Sequence, residues 1–329
     1  MDPLKPESFN HKFLKVGENV VHYVDEGKSD NVIVCVHGFP DLWYGWRFQI
    51  PYLVSLGYRI IAVDLRGFGH SDSHPVEDKD LPSSGTKSRL GDIIAVLDFE
   101  KITEAIWFGH DWGGNVVWRA ALWYPSYVRA IASVCTPYWP ASEKVISLTE
   151  LVKTRKNWMY QLYFRSQKAI KDFDDNTELF FNVMLRPYSE IIPSPIFSTT
   201  VPIEERTITS SIGVQRSSLL SQPELDYYVS EYSRNGFAAP LVMYRIQEID
   251  AQQEIDAGFV DKKLEIPCLM ITAGHDRTLP KSFADNMGNF VTNLTLADVE
   301  EAGHWVLVEQ HAEVNGHLGK FLKHLDGNN

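Results

Sequence analysis

The chain has 329 residues, enough to bury a large core as one α/β domain or as a core carrying an insertion. Its 31 Lys and Arg against 43 Asp and Glu leave a net charge of −12 with no basic run, which argues against nucleic acid and anionic membrane as partners. Apolar residues make up 44% and aromatics 12%, yet the longest apolar runs, such as Ile60-Ile61-Ala62-Val63, are strand-sized, so no segment is expected to span a bilayer.

In chain order, Met1 to Glu7 lack the apolar stretch of a secretion signal. His11–Val16 and Val20–Asp25 read as an antiparallel pair joined through Gly17-Glu18-Asn19, and Val32–Val36 is a buried strand that ends at His37-Gly38-Phe39-Pro40. A helix is predicted over Tyr44–Ser55, a strand over Tyr58–Val63 and an amphipathic helix over Arg89–Phe99. Glu104–Phe108 reads as a strand, Gly114–Trp123 as a helix and Val128–Val134 as another strand. This alternation predicts an α/β fold, a mostly parallel sheet with helices on both faces. From about Trp139 to Asp250 it stops, giving way to helical pieces, many aromatics and a Pro/Ser/Thr-rich loop around Pro187–Pro202. It resumes with Ile266–Thr272, Asn293–Val299 and a C-terminal helix from roughly Trp305 to Leu325. The simplest organisation is a core of residues 1–138 and 251–329, with a helical cap, 139–250, inserted into it. Cys35, Cys135 and Cys268 fall in predicted buried strands without metal-ligand spacing, as reduced core residues of a cytoplasmic protein would, and no metal or other cofactor is expected.

Gly109-His110-Asp111-Trp112-Gly113 carries the chemistry. It has the spacing of the G-x-S-x-G nucleophile elbow with aspartate at the apex. A strand turning sharply into a helix leaves no room for side chains two residues either side of that apex, hence the glycines. The helix N-terminus behind the apex favours a negative charge. Two later strands also end in reactive side chains, Asp276 after Ile271-Thr272-Ala273-Gly274-His275 and His304 after Glu300-Glu301-Ala302-Gly303. Nucleophile Asp111, acid Asp276 and base His304 thus follow the chain order of α/β-hydrolases. The backbone N–H groups of Phe39 and Trp112 are candidates for an oxyanion hole.

The chain resembles epoxide hydrolases of the α/β-hydrolase fold over essentially its full length. His37-Gly38-Phe39-Pro40 is similar to that family's H-G-x-P motif, Asp64-Leu65-Arg66-Gly67-Phe68-Gly69-His70-Ser71-Asp72 to its D-x-R-G-x-G-x-S segment, and Gly109 to Gly114 to its nucleophile motif. In the cap, Tyr160-Gln161-Leu162-Tyr163-Phe164, and Asn235-Gly236-Phe237 through Met243-Tyr244-Arg245, resemble the segments that carry the family's two ring-opening tyrosines. The resemblance implies that Tyr160 and Tyr244 fill those roles, with Tyr163 an alternative to Tyr160. Arg165-Ser166-Gln167 stands where many relatives have Glu-Pro-Gly. Phe39, Pro40, Trp112 and Trp305 are the expected substrate-binding residues.

The chemistry agrees with the resemblance. Serine attacking a saturated carbon would leave an ether that water cannot cleave at neutral pH, whereas a carboxylate leaves an ester that histidine-activated water can hydrolyse. An opening epoxide needs a proton, and a phenol of pKa near ~10 can give one at pH 7. The expected activity is conversion of small-molecule epoxides and water to vicinal diols. Two alternatives are a haloalkane-type dehalogenase using the same Asp111 and an inactive ligand-binding relative. Against the first, Phe39 stands where dehalogenases commonly place an asparagine amide for halide; against the second, a receptor needs no water-activating base.

Overall fold

The computed structural model describes residues 1–74 and 76–327. They divide into two compact units, one of Met1–Asp72, Thr86–Pro140 and Asp261–Asn329, the other of Ser73–Gly85 and Ala141–Val260. Among the described residues no helix is long and apolar enough to cross a membrane.

The first half of the first unit runs β1 (His11–Val16), β2 (Asn19–Glu26), β3 (Val32–Val36), α1 (Gln49–Ser55), β4 (Arg59–Val63), α2 (Thr86–Phe99), β5 (Ala105–His110), α3 (Trp112–Trp123) and β6 (Val128–Val134). Beyond residue 260 it continues with β7 (Cys268–Ala273) and β8 (Leu294–Val299) and closes on two C-terminal helices. The eight strands form one sheet in the order β1-β2-β4-β3-β5-β6-β7-β8. β2 pairs antiparallel with both β1 and β4, and every other pairing is parallel. All residues of β3, β5 and β7 are buried, as expected of strands covered on both faces. From β3 the chain goes to β4 on one side and later to β5 on the other, so strand order reverses between β3 and β5. Parallel sheets place their ligands beyond the carboxyl ends of the strands at such a reversal. There β3 delivers Gly38 and Phe39, and β5 delivers Asp111.

Two helices differ from the sequence expectation. The stretch predicted as one helix from Tyr44 opens as a 3-10 turn, Trp43–Trp46, and α1 begins only at Gln49. Pro51 explains the delay, because a proline is tolerated in a first helical turn but clashes with the carbonyl four residues back when placed deeper. The C-terminal helix is likewise two pieces, Val306–Glu309 and His311–Gly327, separated by Gln310 at φ −130° and ψ 44°. The break lets the Glu309 carboxylate accept from the Gly303 N–H and tether the loop that carries His304.

Among the described residues the second unit holds six α-helices in chain order: α4 (Leu148–Thr154), α5 (Tyr160–Phe164), α6 (Gln167–Asp175), α7 (Thr177–Met184), α8 (Gln222–Asn235) and α9 (Gln247–Asp256). Side-chain caps start three of them: Ser147 accepts from the Glu150 N–H, Ser166 from the Ala169 N–H, and Ser221 with Glu224 forms a capping box. Phe173, Phe180 and Phe237, fully buried and mutually in contact with ring centroids 4.4–5.5 Å apart, are the apolar core of this unit. Its limits differ from residues 139–250 in three ways, the first being that it begins at Ala141. α9 carries the unit on to Val260, and residues 73–85 join it because Arg245 binds the Val76 carbonyl and the Asp78 carboxylate while Gln253 donates to the Pro82 carbonyl.

Candidate active site

Asp111 sits at the elbow with φ 54° and ψ −124°, a left-handed backbone that is costly for a residue with a Cβ. Its neighbours explain how the turn is enforced. A Cβ on Gly109 would lie 2.3 Å from the Gly113 carbonyl oxygen, and one on Gly113 would lie 2.0 Å from that of Val36. The Asp111 carbonyl accepts from the Gly114 N–H at 2.9 Å and from the Thr136 hydroxyl at 2.6 Å. The carboxylate therefore stands at the N-terminus of the twelve-residue α3, where the helix dipole favours it.

A backbone amide and an imidazole meet that carboxylate. The Phe39 N–H donates to Oδ1 at 2.8 Å, and His304 Nε2 lies 3.4 Å from Oδ2. On the other side of the imidazole, His304 Nδ1 donates to Asp276 Oδ2 at 2.8 Å. Asp276 is itself oriented through Oδ1, which accepts from the Thr278 and Leu279 N–H groups at 2.8 and 2.9 Å. Burial opposes ionisation of Asp276, but His304 and these two amides outweigh it and hold the carboxyl below its usual range. Burial also opposes charge on His304, yet the Asp276 and Asp111 carboxylates prevail and hold its pKa well above 6.5. The imidazole thus lies between the Asp111 and Asp276 carboxyl groups, one at each ring nitrogen.

The loop bearing Phe39 is held by His37. Its Nδ1 donates to the Gly38 carbonyl at 2.7 Å, while Nε2 accepts from the Leu65 N–H at 3.0 Å, a pattern that requires the neutral ring. Burial agrees, pulling the His37 pKa down. Phe39 and Pro40 are buried, Trp112 half-buried at the start of α3, and Trp305 packs edge-on against His304 with centroids 5.0 Å apart. The second expected oxyanion donor, Trp112 N–H, directly follows the apex.

Three further residues lie at this sheet edge: His110 and Thr136, which the sequence left without a part, and Cys135, expected inside a buried strand but standing just past β6. His110 Nε2 donates to the His304 carbonyl at 2.8 Å, and its ring lies 5.0 Å from that of His304. Cys135 follows β6 at φ 67°, and its thiol donates to the same carbonyl at 3.8 Å. Their position just past β5 and β6 was the available signal. His110, Cys135 and His304 bring ligand-type atoms within 4.8 Å of one another. The His304 nitrogens, however, face carboxylates, and burial with Asp276 pushes the Cys135 pKa up to about 12, keeping the thiol protonated.

The second unit brings Tyr160 and Tyr244 together, their rings edge-to-face with centroids 6.1 Å apart and Phe164 against both. Tyr163 is engaged elsewhere. Its hydroxyl donates to Asp172 Oδ2 at 2.6 Å, and burial together with that carboxylate drives its pKa far up. Arg165 links α5 to the Tyr244 carbonyl and the Glu248 carboxylate, and Ser166 caps α6, so the Arg165-Ser166-Gln167 sequence has its own structural work.

The family described as alpha/beta hydrolase fold matches residues 31–310. Bifunctional epoxide hydrolase 2 of Sus scrofa is 31% identical over 97% of this chain, which spans 56% of that relative's own length. Epoxide hydrolase A of Mycobacterium tuberculosis is 32% identical, with 90% of this chain and 91% of the relative covered. The crystal structure of Epoxide Hydrolase A from Mycobacterium thermoresistibile superposes with a TM-score of 0.81 at 27% identity, covering 96% of this chain and 98% of that one. On these matches the chain belongs to the α/β-hydrolase fold family and, within it, to the epoxide hydrolases.

Proposed function

We propose that the protein hydrolyses small-molecule epoxides to vicinal diols through a covalent alkyl ester on Asp111. The observation that carries this reading is the Asp111 carboxylate itself, with Oδ1 on the Phe39 N–H and Oδ2 facing His304, whose other nitrogen is held by Asp276. Oδ2 attacks an epoxide carbon, and Oδ1 becomes the ester carbonyl. The carbon–oxygen bond breaks with its electron pair going to the epoxide oxygen, which is protonated by Tyr160 or Tyr244. Tyr160 is preferred over Tyr163 because the latter's hydroxyl is committed to Asp172.

Esterification then changes the electrostatics. Asp111 loses its negative charge, so one of the two carboxylates that hold His304 protonated is gone. The imidazole gives up its proton to solvent more readily and, once neutral, acts as a general base for water, with Asp276 supporting the imidazolium that forms. Attack on the Asp111 acyl carbon puts negative charge on Oδ1, where the N–H groups of Phe39 and Trp112 serve as donors. The diol departs with Oδ2. Three free, buried cysteines suit a reducing compartment, and we place the protein in the cytoplasm.

The test is the covalent intermediate. His304→Gln incubated with a terminal or aryl epoxide accumulates protein heavier by the mass of the epoxide, on a peptide containing Asp111. Asp111→Ala gives neither adduct nor diol. Diol formation by Asp111→Ala near the wild-type rate would overturn the assignment of the nucleophile.

A further inference from the structure

One polar side chain beside the tyrosine pair has no role in the mechanism so far. Gln161, at the second position of α5, is buried, 6% exposed. Its carbonyl Oε1 accepts from Gln247 Nε2 of α9 at 2.9 Å. The amide Nε2 then points to the Tyr160 hydroxyl oxygen at 3.5 Å. Neighbouring residues on a helix do not ordinarily face each other, so this contact depends on the anchor supplied by α9.

The direction of that contact decides where the phenol hydrogen goes. A hydroxyl that accepts from an amide N–H keeps its own O–H for another partner. The contact is long for a resting hydrogen bond, and catalytic hydrogen bonds commonly tighten only as charge develops. A donor to a phenolate is charge-assisted and roughly twice as strong as one to a neutral phenol.

We propose that Gln161, held by Gln247, is a positioning residue for ring opening: it turns the Tyr160 hydrogen toward the epoxide oxygen and supports the phenolate left behind. The inference rests on the ring-opening role given above to Tyr160. As Oδ2 of Asp111 bonds to carbon, the epoxide oxygen keeps the electron pair of the broken bond and takes the Tyr160 proton. Hydrolysis of the ester yields diol, carboxylate and one proton, and that proton restores the phenol.

The test compares single-turnover alkylation of Asp111, followed by quenched-flow mass spectrometry, in Gln161→Glu, Gln247→Leu, Tyr160→Phe and the Gln161→Glu/Tyr160→Phe double variant. Gln161→Glu preserves shape but offers an oxygen to the phenol, capturing its hydrogen, so alkylation falls about 100-fold, the scale of a lost general acid. Hydrolysis of the ester once formed, and affinity for the diol product, stay at wild-type values, which a merely structural defect would not spare. Adding Tyr160→Phe costs nothing further. Gln247→Leu frees the amide and gives a smaller loss in the same step. If Tyr160→Phe slows alkylation while Gln161→Glu matches wild type, or if the two losses simply add, the role of Gln161 is refuted and that of Tyr160 stands. If Tyr160→Phe alkylates at the wild-type rate, the parent reading fails and this one with it.

Discussion

Gly38→Ala places a single methyl group against the proposed nucleophile. Its Cβ would lie 2.3 Å from Asp111 Oδ1, 2.5 Å from its Cβ and 2.8 Å from its Cγ. Carbon contacts are comfortable at about 3.5–4.0 Å, so the loop and the carboxylate must separate by roughly 1 Å. The Asp111 Cβ is fixed by the elbow backbone, so the carboxylate cannot simply swing aside. The separation also breaks the Phe39 N–H contact to Oδ1, now 2.8 Å. Loss of one oxyanion donor costs about 3 kcal/mol, and a displacement of about 1 Å in a reacting group costs roughly 100-fold. Both effects come from the same shift and do not multiply in full. The expected result is a fall of about 10²–10³-fold in the rates of alkylation and ester hydrolysis. Overpacking should cost a further 1–3 kcal/mol or so of folding stability, leaving the protein folded at room temperature. Rapid-quench mass spectrometry reads the two rates, and thermal unfolding reads the stability. Wild-type rates for both steps in Gly38→Ala would refute the proposed placement of Phe39 and Asp111.

The tyrosines separate by variant. Tyr163→Phe removes a part-buried, charge-assisted hydrogen bond to Asp172 and should lower unfolding free energy by about 1–2 kcal/mol in urea titrations while leaving kcat unchanged; a large loss of kcat would make Tyr163 the acid. The His304–Asp276 pair should stabilise the fold over a defined pH window. The folded pKa of His304 is raised above 6.5, so its contribution is complete below 6.5 and is lost as pH rises through the raised value. The folded pKa of Asp276 is lowered below 3.8, so its contribution is present above 3.8 and is lost as pH falls through the lowered value. The difference in unfolding free energy between wild type and Asp276→Asn is therefore greatest from about pH 4 to about pH 6.5 and declines from there toward the raised His304 pKa, and a pH-independent difference would contradict the pairing. In turnover, the fraction of enzyme held as alkyl ester should increase as pH falls, because acid keeps His304 protonated in the hydrolytic step; a fraction that decreases in acid would rule out His304 as that base.

What could be read from the sequence was what the backbone itself demands. Gly109 and Gly113 announce the elbow because no side chain fits where they pass Gly113 O and Val36 O. Asp276 and His304 were legible as residues just past parallel strands, since such strands deliver their ends to one edge. Pro51 carried the signal for the late start of α1, which periodicity alone missed. Partnerships between distant segments were not legible. Nothing local tells that His37 divides its nitrogens between Gly38 O and Leu65 N, or that Gln253 reaches Pro82 and draws residues 73–85 into the second unit. Tyr160 and Tyr163 share one helix of five residues, and only the Asp172 carboxylate from α6 distinguishes them.

A single turnover in water enriched in oxygen-18, with enzyme in excess over epoxide, tests the covalent route most directly. The account predicts a first-turnover diol free of the heavy isotope, its new oxygen coming from Asp111, and heavy oxygen appearing in the Asp111 peptide after digestion. A first-turnover diol carrying solvent oxygen, with that peptide unlabelled, would mean that water attacks the epoxide directly and that no ester forms.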